Sequence, residues 1–196
     1  MPEYLSLDFD LIRVADNHGM PFSLLNLSPA LMSAVAERGY TAPTAIQSAA
    51  IPAILQGRDV VASAQTGSGK TAAFALPVLQ QITAIPAVPR GAIRPTSALV
   101  LVPTRELAAQ VGETVVSLST HLTRRVKVAV VFGGVSINPQ MMNLRGGADI
   151  IVATPGRLLD LIDHNALSIS ALSTLVLDEA DQIGRASCRE RVLMQV

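Results

Sequence analysis

Short apolar, β-branched runs recur along the chain, and stretches compatible with helix lie between them. The runs predict buried strands at residues 60–61, 98–102, 126–131, 150–152 and 175–177. Apolar residues at helical spacing predict helices at 31–40 and 48–55. Because strands alternating with helices favour right-handed βαβ crossovers, we expect an α/β domain built on a mostly parallel sheet.

Turn residues mark where these elements begin and end. Ser28 and Pro29 supply an N-cap and a first-turn proline, and Gln56-Gly57 ends the second helix. Residues 84–96 contain three prolines and predict an exposed loop.

Composition narrows the class of protein. The chain has 196 residues, enough for one domain with a substantial core, and its 49% hydrophobic content suits parallel strands covered on both faces. With no apolar stretch long enough for a membrane span and no signal peptide pattern, we expect a soluble cytoplasmic protein. The single cysteine, Cys188, excludes an internal disulfide and a cysteine-rich zinc site. A net charge of zero means that any nucleic-acid binding must depend on local arrangement.

The most informative segment is residues 64–71, which read Ala-Gln-Thr-Gly-Ser-Gly-Lys-Thr. It follows the apolar run 59–63 and leads into the helix-compatible run 72–76, which is the context that a phosphate-binding loop requires. Glycines allow backbone N–H groups to turn inward around phosphate oxygens, and the helix adds the positive end of its dipole. We expect Lys70 to reach the β and γ phosphates and the Thr71 hydroxyl to hold Mg²⁺. Ala64 stands where the strict pattern has glycine.

A second signal, Asp178-Glu179-Ala180-Asp181, directly follows the apolar strand 173–177. Alone, an acidic tetrapeptide is usually a solvated turn. After a buried strand in a chain with a phosphate loop, a carboxylate can hold Mg²⁺ through water while its neighbour polarises the attacking water. We therefore assign Asp178 to the metal and Glu179 to the catalytic base.

These two motifs resemble those of the DEAD-box ATP-dependent RNA helicases. Further family motifs stand in the same order, at residues 39–40 with 43–47, at 103–108, at 133–134 and at 154–157. The resemblance covers about residues 22–181. It implies a three-layer RecA-like P-loop NTPase fold, ATP and Mg²⁺ as cofactors, RNA as partner, and ATP-dependent unwinding of short RNA duplexes.

The resemblance also implies roles for the adenine-sensing segment. Gln47 would read the adenine edge through two hydrogen bonds while Tyr40 stacks on the ring, and an amide complements adenine but not guanine, which predicts ATP over GTP. Without the family, Gln47 reads as a surface glutamine. The predicted nucleotide site comprises Tyr40, Gln47, Ala64, Gln65, Thr66, Gly67, Ser68, Gly69, Lys70 and Thr71. Lys70, Asp178 and Glu179 are the predicted catalytic residues, and Thr71 and Asp178 the metal-binding ones.

Three further motifs resemble the family's RNA-contacting loops at the carboxyl ends of strands. The residues implied are Thr104, Arg105, Gly134, Thr154, Gly156 and Arg157. Their hydroxyl, guanidinium and backbone groups suit phosphates and sugars, so we expect binding that is indifferent to sequence. Arg105 has a rival role, because an Arg105–Glu106 pair can be structural, and both roles remain open.

The two ends of the chain depart from the family. Residues 1–19 have no counterpart in its core motifs and are either a real extension or the product of a wrong start codon. Family members continue after Asp181 into a helix, a Ser-Ala-Thr motif and a second RecA-like domain, none of which residues 182–196 supply. We interpret this tail as out-of-frame or adapter-derived sequence, with a genuine short variant as the alternative. Residues 20–181 would then form an incomplete first RecA-like domain whose last strands are missing.

Two other functions compete with RNA unwinding. A helicase acting on DNA would need the same phosphate loop, but the adenine-sensing segment and the Asp-Glu-Ala-Asp spelling argue against it. The chain could also serve as a nucleotide-binding or interaction module without turnover. Because the family completes its catalytic site with arginines of a second domain, we expect this chain alone to be poorly soluble, to bind nucleotide weakly and not to unwind RNA.

Overall fold

The computed structural model describes residues 20–65, 67–89 and 91–179, and the backbone of 10–11 and 191–195. The helices of this part are a 3-10 helix Phe22–Leu25 and the α-helices α1 Pro29–Glu37, α2 Ala45–Leu55, α3 Lys70–Ala84, α4 Arg105–Leu118, α5 Ile137–Leu144 and α6 Pro155–Asp163. The strands are β1 Asp10–Leu11, β2 Val60–Ser63, β3 Ala98–Leu101, β4 Val128–Val131, β5 Ile150–Ala153, β6 Thr174–Leu177 and β7 Arg191–Gln195.

These strands form one sheet in the order β1-β2-β7-β6-β3-β5-β4. Neighbouring strands from β6 through β3 and β5 to β4 are parallel, as are β1 and β2. Only β7, among the strands described, runs antiparallel to its neighbours. The predicted α/β fold with a mostly parallel sheet is confirmed.

Local sequence explains where the predicted helices differ from the observed ones. Helix α2 begins at Ala45, three residues earlier than its apolar pattern, because the side chain of Gln47 accepts a hydrogen bond from Thr44 N and closes the first turn. Helix α1 ends at Glu37, where Gly39 N donates to Ala36 O and Tyr40 N donates to Val35 O. This pair of bonds is a Schellman motif, which stops the helix before the predicted residue 40.

Strand β7 lies inside the sheet, between β2 and β6. Its backbone pairs Met194 with Val60 on one side and Leu193 with Leu177 on the other. The sequence led us to expect the last strands of this sheet to be missing and an apolar edge to be exposed. Without β7, both β2 and β6 would have an unpaired edge. Unpaired strand edges carry free N–H and C=O groups, and an extended segment that enters the gap satisfies both rows. The tail segment occupies this gap in the opposite direction to its neighbours.

Buried side chains form two clusters, one on each face of the sheet. The larger cluster packs α1 to α4 on one face and includes Leu31, Ile51, Phe74 and Leu118. The smaller cluster lies on the other face and includes Leu161 of α6. Consecutive strand residues contribute to opposite clusters, as strand geometry requires. Helices therefore cover both faces, in agreement with the predicted three layers. No helix in the part of the chain described here is long and apolar enough to cross a membrane.

Candidate active site

The predicted phosphate loop and acidic motif lie on the same edge of the sheet. The phosphate loop follows β2, and Asp178 follows β6. Since β7 is antiparallel to both, β2 and β6 point in the same direction and their carboxyl ends share one edge. One intervening strand separates them by about 10 Å, two interstrand spacings. A triphosphate held at the loop can therefore extend toward the acidic motif.

The loop has the backbone that phosphate binding needs. Gly67 and Gly69 have φ angles of 79° and 88°, in the left-handed region that favours glycine. Gly69 is the N-cap of α3, so the first free N–H groups of this helix face the loop. Lys70 Nζ donates to Ala64 O at 2.8 Å and so lies across the loop. Gln65 is exposed and Thr71 half-buried, whereas Thr66 lies outside the described residues.

Ser68 adds a polar group that suits phosphate. Its Oγ is buried and has no hydrogen-bond partner within the described part of the chain. A buried hydroxyl without a partner is costly, and a phosphate oxygen would satisfy it. The loop therefore has a donor set that fits a bound anion.

Gln47 links the predicted adenine site to the loop. Its side chain is nearly fully buried, with 4% exposed, and its Nε2 donates to Gly69 O at 3.2 Å. Its Oε1 accepts from Thr44 N at 3.0 Å. A primary amide has two donor hydrogens and two acceptor lone pairs, so one of each remains after these bonds. That remaining pair is what the adenine edge requires.

Tyr40 is half-buried and contacts an arginine that the sequence reasoning missed. Arg38 Nε donates to Tyr40 Oη at 3.2 Å, and the guanidinium carbon lies 5.6 Å from the ring centroid. Arg38 Nη1 also donates to Ser117 Oγ of α4 at 2.6 Å. The sequence signal was slight: a basic residue two positions before the aromatic one, at the predicted end of a helix.

The acidic motif directly follows β6, at the edge where the carboxyl ends of the parallel strands lie. Asp178 N donates to Leu101 O at 3.0 Å, and only 3% of Asp178 is exposed. Its Oδ1 accepts from Glu179 N at 3.1 Å. Glu179 has a φ of 53°, a left-handed backbone that is rare outside glycine and asparagine and is found where function requires strain. Ala180 and Asp181 lie outside the described residues.

A magnesium site at this edge would have few protein ligands. No group of three or more histidine, cysteine, aspartate or glutamate side chains suited to a metal occurs among the described residues. Mg²⁺ commonly keeps several waters and binds one or two carboxylates together with substrate phosphates. A buried carboxylate at Asp178 and a hydroxyl at Thr71 fit that mode of binding.

The predicted RNA loops occupy the other half of the same edge. They follow β3, β5 and β4, which are neighbours in the sheet. Thr104 Oγ1 accepts from Leu107 N and caps α4, while Thr154 Oγ1 accepts from Gly133 N at 3.3 Å. Gly134 and Gly156 are exposed. The structure thus brings these loops together beside β6, next to the predicted phosphate loop and acidic motif.

The two predicted RNA-binding arginines have different environments. Arg157 is 7% exposed, and its Nη2 donates to Val135 O at 2.7 Å, which ties α6 to the Gly133–Gly134 loop. Its Nη1 is buried and makes no hydrogen bond to the described residues. Its position suits support of the loop better than direct contact with a phosphate.

Arg105 is exposed and pairs with Glu106, Nε to Oε1, at 2.5 Å. The hydrogen bond and the charge of Glu106 raise the pKa of Arg105, and chiefly the same hydrogen bond lowers the pKa of Glu106. The pair expected under the structural role therefore exists. Because both side chains are solvated, such a pair contributes little stability, and Arg105 stays accessible to a ligand.

Known proteins are similar to this chain over most of its length. A family model described as DEAD/DEAH box helicase matches residues 44–195. The ATP-dependent RNA helicase DeaD of Mycobacterium tuberculosis (strain ATCC 25618 / H37Rv) is 45% identical over 177 residues, which is 89% of this chain and 30% of that protein. DeaD of Escherichia coli (strain K12) is 46% identical over 171 residues, 87% of this chain and 26% of that protein.

A third relative, the RNA helicase CrhR of Synechocystis sp. (strain ATCC 27184 / PCC 6803 / Kazusa), is 46% identical over 162 residues, 83% of this chain and 31% of that protein. The chain thus spans less than a third of the length of these three relatives. Because the family model covers well over half of the chain and its motifs meet at one edge of the sheet, the chain belongs to the DEAD/DEAH box helicase family.

Proposed function

We propose that residues 20–181 form the ATP-binding, RecA-like domain of an ATP-dependent RNA helicase that couples ATP hydrolysis to the unwinding of short RNA duplexes. One observation carries the proposal. A single edge of the sheet has a phosphate loop and an acidic motif at one half and three adjoining polar loops at the other. The names of the relatives, which are RNA helicases, support the choice of RNA.

The half of the edge that has the phosphate loop and the acidic motif, the nucleotide half, would bind ATP at both its phosphate end and its adenine end. Backbone N–H groups of residues 67–71, the Ser68 hydroxyl and Lys70 would bind the phosphates, and Lys70 would exchange its bond to Ala64 O for a phosphate oxygen. Gln47 would use its remaining donor and acceptor on the adenine edge while Tyr40 stacks on the ring. Guanine presents the opposite pattern, so ATP would be preferred.

Hydrolysis would take place between the loop and the acidic motif. Thr71 and Asp178 would hold Mg²⁺, which neutralises charge on the phosphates. Glu179, directly after the buried Asp178, would accept a hydrogen bond from the attacking water and orient it toward the γ phosphate. Lys70 would stabilise the negative charge that develops during transfer.

The RNA half would bind the sugar-phosphate backbone without reading bases. Thr104, Arg105, Gly134, Thr154 and Gly156 would offer hydroxyl, guanidinium and backbone groups, and Arg157 would fix the Gly133–Gly134 loop from behind. Such contacts are indifferent to sequence. We place the protein in the cytoplasm, where ATP and RNA occur together. We also propose that residues 1–19 are an extension to the family's core and that residues 182–196 are an atypical tail, although the backbone of 191–195 completes the sheet between β2 and β6.

A chimera provides the test, because the relatives extend well beyond the matched region. Residues 20–179 would replace the matching segment of the Escherichia coli relative, and unwinding of a short RNA duplex would be measured with ATP, with GTP and without nucleotide. We expect ATP-dependent unwinding of RNA. ATP binding without turnover would indicate the nucleotide-binding module instead, and equal unwinding of a DNA duplex would indicate the DNA helicase.

A further inference from the structure

The backbone at Tyr40 is fixed by the end of α1, but its side chain is only half-buried. The Schellman bonds from Gly39 N to Ala36 O and from Tyr40 N to Val35 O set the direction in which the side chain leaves the helix. Its two side-chain torsions are left to other contacts. A stacking platform needs a fixed ring, since ordering a mobile ring on binding costs conformational entropy.

Arg38 supplies the contacts that hold the ring. Its Nε donates to Tyr40 Oη at 3.2 Å, and its guanidinium lies 5.6 Å from the ring centroid, within the range of a cation–π interaction. The same side chain therefore contacts both the hydroxyl and the π system. These two contacts restrict both torsions of Tyr40.

Arg38 is itself anchored on α4. Its Nη1 donates to Ser117 Oγ at 2.6 Å, so the guanidinium is held between α1 and α4 while it contacts Tyr40. A second polar contact joins the end of α1 to the segment that follows α4, because His121 Nε2 lies 2.7 Å from Glu37 Oε2. That neighbouring contact does not involve Tyr40, so it separates α1–α4 packing from the position of the ring.

We propose that Arg38 is a positioning residue for the adenine base: anchored by Ser117, it holds Tyr40 in the rotamer that stacks on adenine. The proposal rests on the proposed function, in which Tyr40 is the stacking residue. It adds a specificity device that lies outside the phosphate loop and the acidic motif. Losing it would weaken binding of the adenine end and leave the triphosphate contacts unchanged.

Tyrosine emission reports on the ring directly. The chain has no tryptophan and two tyrosines, so Tyr4→Phe leaves Tyr40 as the only fluorophore. In this background, Arg38→Ala is expected to lower the emission anisotropy of Tyr40 without nucleotide. It should also raise the Kd for ATP by about two- to fivefold, the range expected for an exposed cation–π contact. The Kd is measured from the quenching of Tyr40 emission as ATP is added. Competition by inorganic tripolyphosphate should be unchanged.

Three variants serve as controls. Glu37→Ala removes the neighbouring contact with His121 and should leave both readouts unchanged. Ser117→Ala should reproduce part of the Arg38→Ala effect. Arg38→Lys keeps the cation but loses the guanidinium fork that bonds Tyr40 Oη and Ser117 Oγ at the same time, so its Kd for ATP should lie between those of the Arg38 and Arg38→Ala forms. Thermal melting of each variant shows whether the fold is intact, and Arg38→Lys provides the test if Arg38→Ala does not fold.

The outcomes separate this proposal from the proposed function. Absence of quenching by ATP in the Tyr4→Phe chain would overturn both the stacking role of Tyr40 and the positioning role of Arg38, and would leave the proposed helicase function to the unwinding test. Quenching with equal affinities in Arg38→Ala, or tighter ATP binding by that variant, would overturn the positioning role alone. An equal loss of affinity in Glu37→Ala would show that packing between α1 and α4, rather than the contact with the ring, sets adenine binding.

Discussion

At the scale of single residues, the nucleotide half of the edge uses side chains that already bind groups of the protein itself. Lys70 donates to Ala64 O, and Gln47 bridges Thr44 N and Gly69 O. In the proposed ATP complex, phosphate would displace the Lys70 contact, whereas adenine would use the donor and the acceptor that Gln47 has left. The two residues therefore respond differently to substitution.

Gln47→Ala should narrow the preference for ATP over GTP. The variant loses a pair of hydrogen bonds to the adenine edge, worth about 1 to 3 kcal/mol of discrimination. Titration of fluorescent ATP and GTP into the 196-residue chain measures the ratio. Thr44→Ala is the matched control, since the backbone N–H that orients Gln47 remains in that variant. Equal affinity of the unsubstituted chain for the two nucleotides would disprove the adenine role.

Lys70→Ala and Glu179→Gln should separate binding from chemistry. Lys70 provides positive charge on the phosphates, so its loss should weaken ATP binding. Glu179→Gln keeps the size of the side chain and should leave the Kd within about twofold, because its carboxylate acts on the water rather than on the nucleotide. The same ATP titration measures both. A comparable loss of affinity in the two variants would show that Glu179 contributes to binding.

Arg105→Ala should weaken RNA binding without lowering thermal stability. One lost phosphate contact reduces the salt dependence of log K for single-stranded RNA by about 0.7, and an exposed pair adds little stability. The pKa of Glu106 is lowered, so Glu106 is charged and paired with Arg105 at any pH at which an unpaired glutamate is ionised. The charge and the pair are lost only as the pH falls below that range. Salt titrations at pH 7 therefore test the arginine in its paired state. Unchanged RNA affinity with a lower melting temperature would assign Arg105 a structural role.

Local sequence predicts those residues whose role depends on their own loop. The glycines, Lys70 and Asp178 were identified because a strand, a loop and a helix follow one another in the chain. Arg38 was missed because its anchor, Ser117, lies 79 positions away. Arg157 likewise bonds to Val135 O, which lies 22 positions away in the loop after β4. Neither contact has a periodicity or a motif that a single sequence reveals.

At the scale of elements, a cluster of ion pairs and hydrogen bonds at the edge opposite the candidate active site joins the starts of β3, β4 and β5. Asp149, 1% exposed, accepts from Arg94 Nη1 at 2.8 Å and from Arg124 Nη2 at 2.5 Å, and its Oδ2 also accepts from Lys127 N. The backbone of Arg94 pairs with Gly147 beside this cluster. These contacts join the segments that lead into β3, β4 and β5, and so align the three predicted RNA loops at the far ends of those strands.

Gly147→Ala should destabilise the fold more than Gly146→Ala. Both glycines have positive φ, 74° and 79°, so each substitution carries a similar backbone strain. A Cβ at 147 would overlap the carbonyl of Arg94, whereas a Cβ at 146 meets nothing within 4 Å. We expect an additional cost of about 1 to 3 kcal/mol at 147, as for other overpacked sites. Urea unfolding measures the difference in stability. Equal midpoints would show that the backbone pairing of Arg94 with Gly147 can shift at no cost to make room for the Cβ.

Strands β2 to β6 and helices α1 and α2 followed from hydrophobic patterning, because each buries one side against a neighbour. Strand β7 did not, since residues 191–195 pair with β2 and β6 across more than a dozen intervening residues. Sheet pairing at that distance depends on which edges remain open after the rest of the domain has formed. The register of β7 is therefore a property of the whole sheet.

At the scale of the whole molecule, one sheet edge has two functional halves that meet where β6 adjoins β3. Asp178 N bonds to Leu101 O across that boundary, and Thr104 follows Leu101 after two residues. Under the proposed function, a shift of the acidic motif during hydrolysis would directly displace the predicted RNA loop that follows β3. This adjacency would then provide a physical route for coupling ATP hydrolysis to RNA binding.

RNA-stimulated ATP hydrolysis tests this coupling most directly. The measurement is the rate of ATP turnover, with and without single-stranded RNA, by the chimera that carries residues 20–179, unsubstituted and with Glu179→Gln. We predict turnover that rises with RNA and falls to background in the Glu179→Gln form, which still binds ATP. Turnover that is indifferent to RNA, or that persists in Glu179→Gln, would contradict the assignment of this edge as a coupled ATP and RNA site.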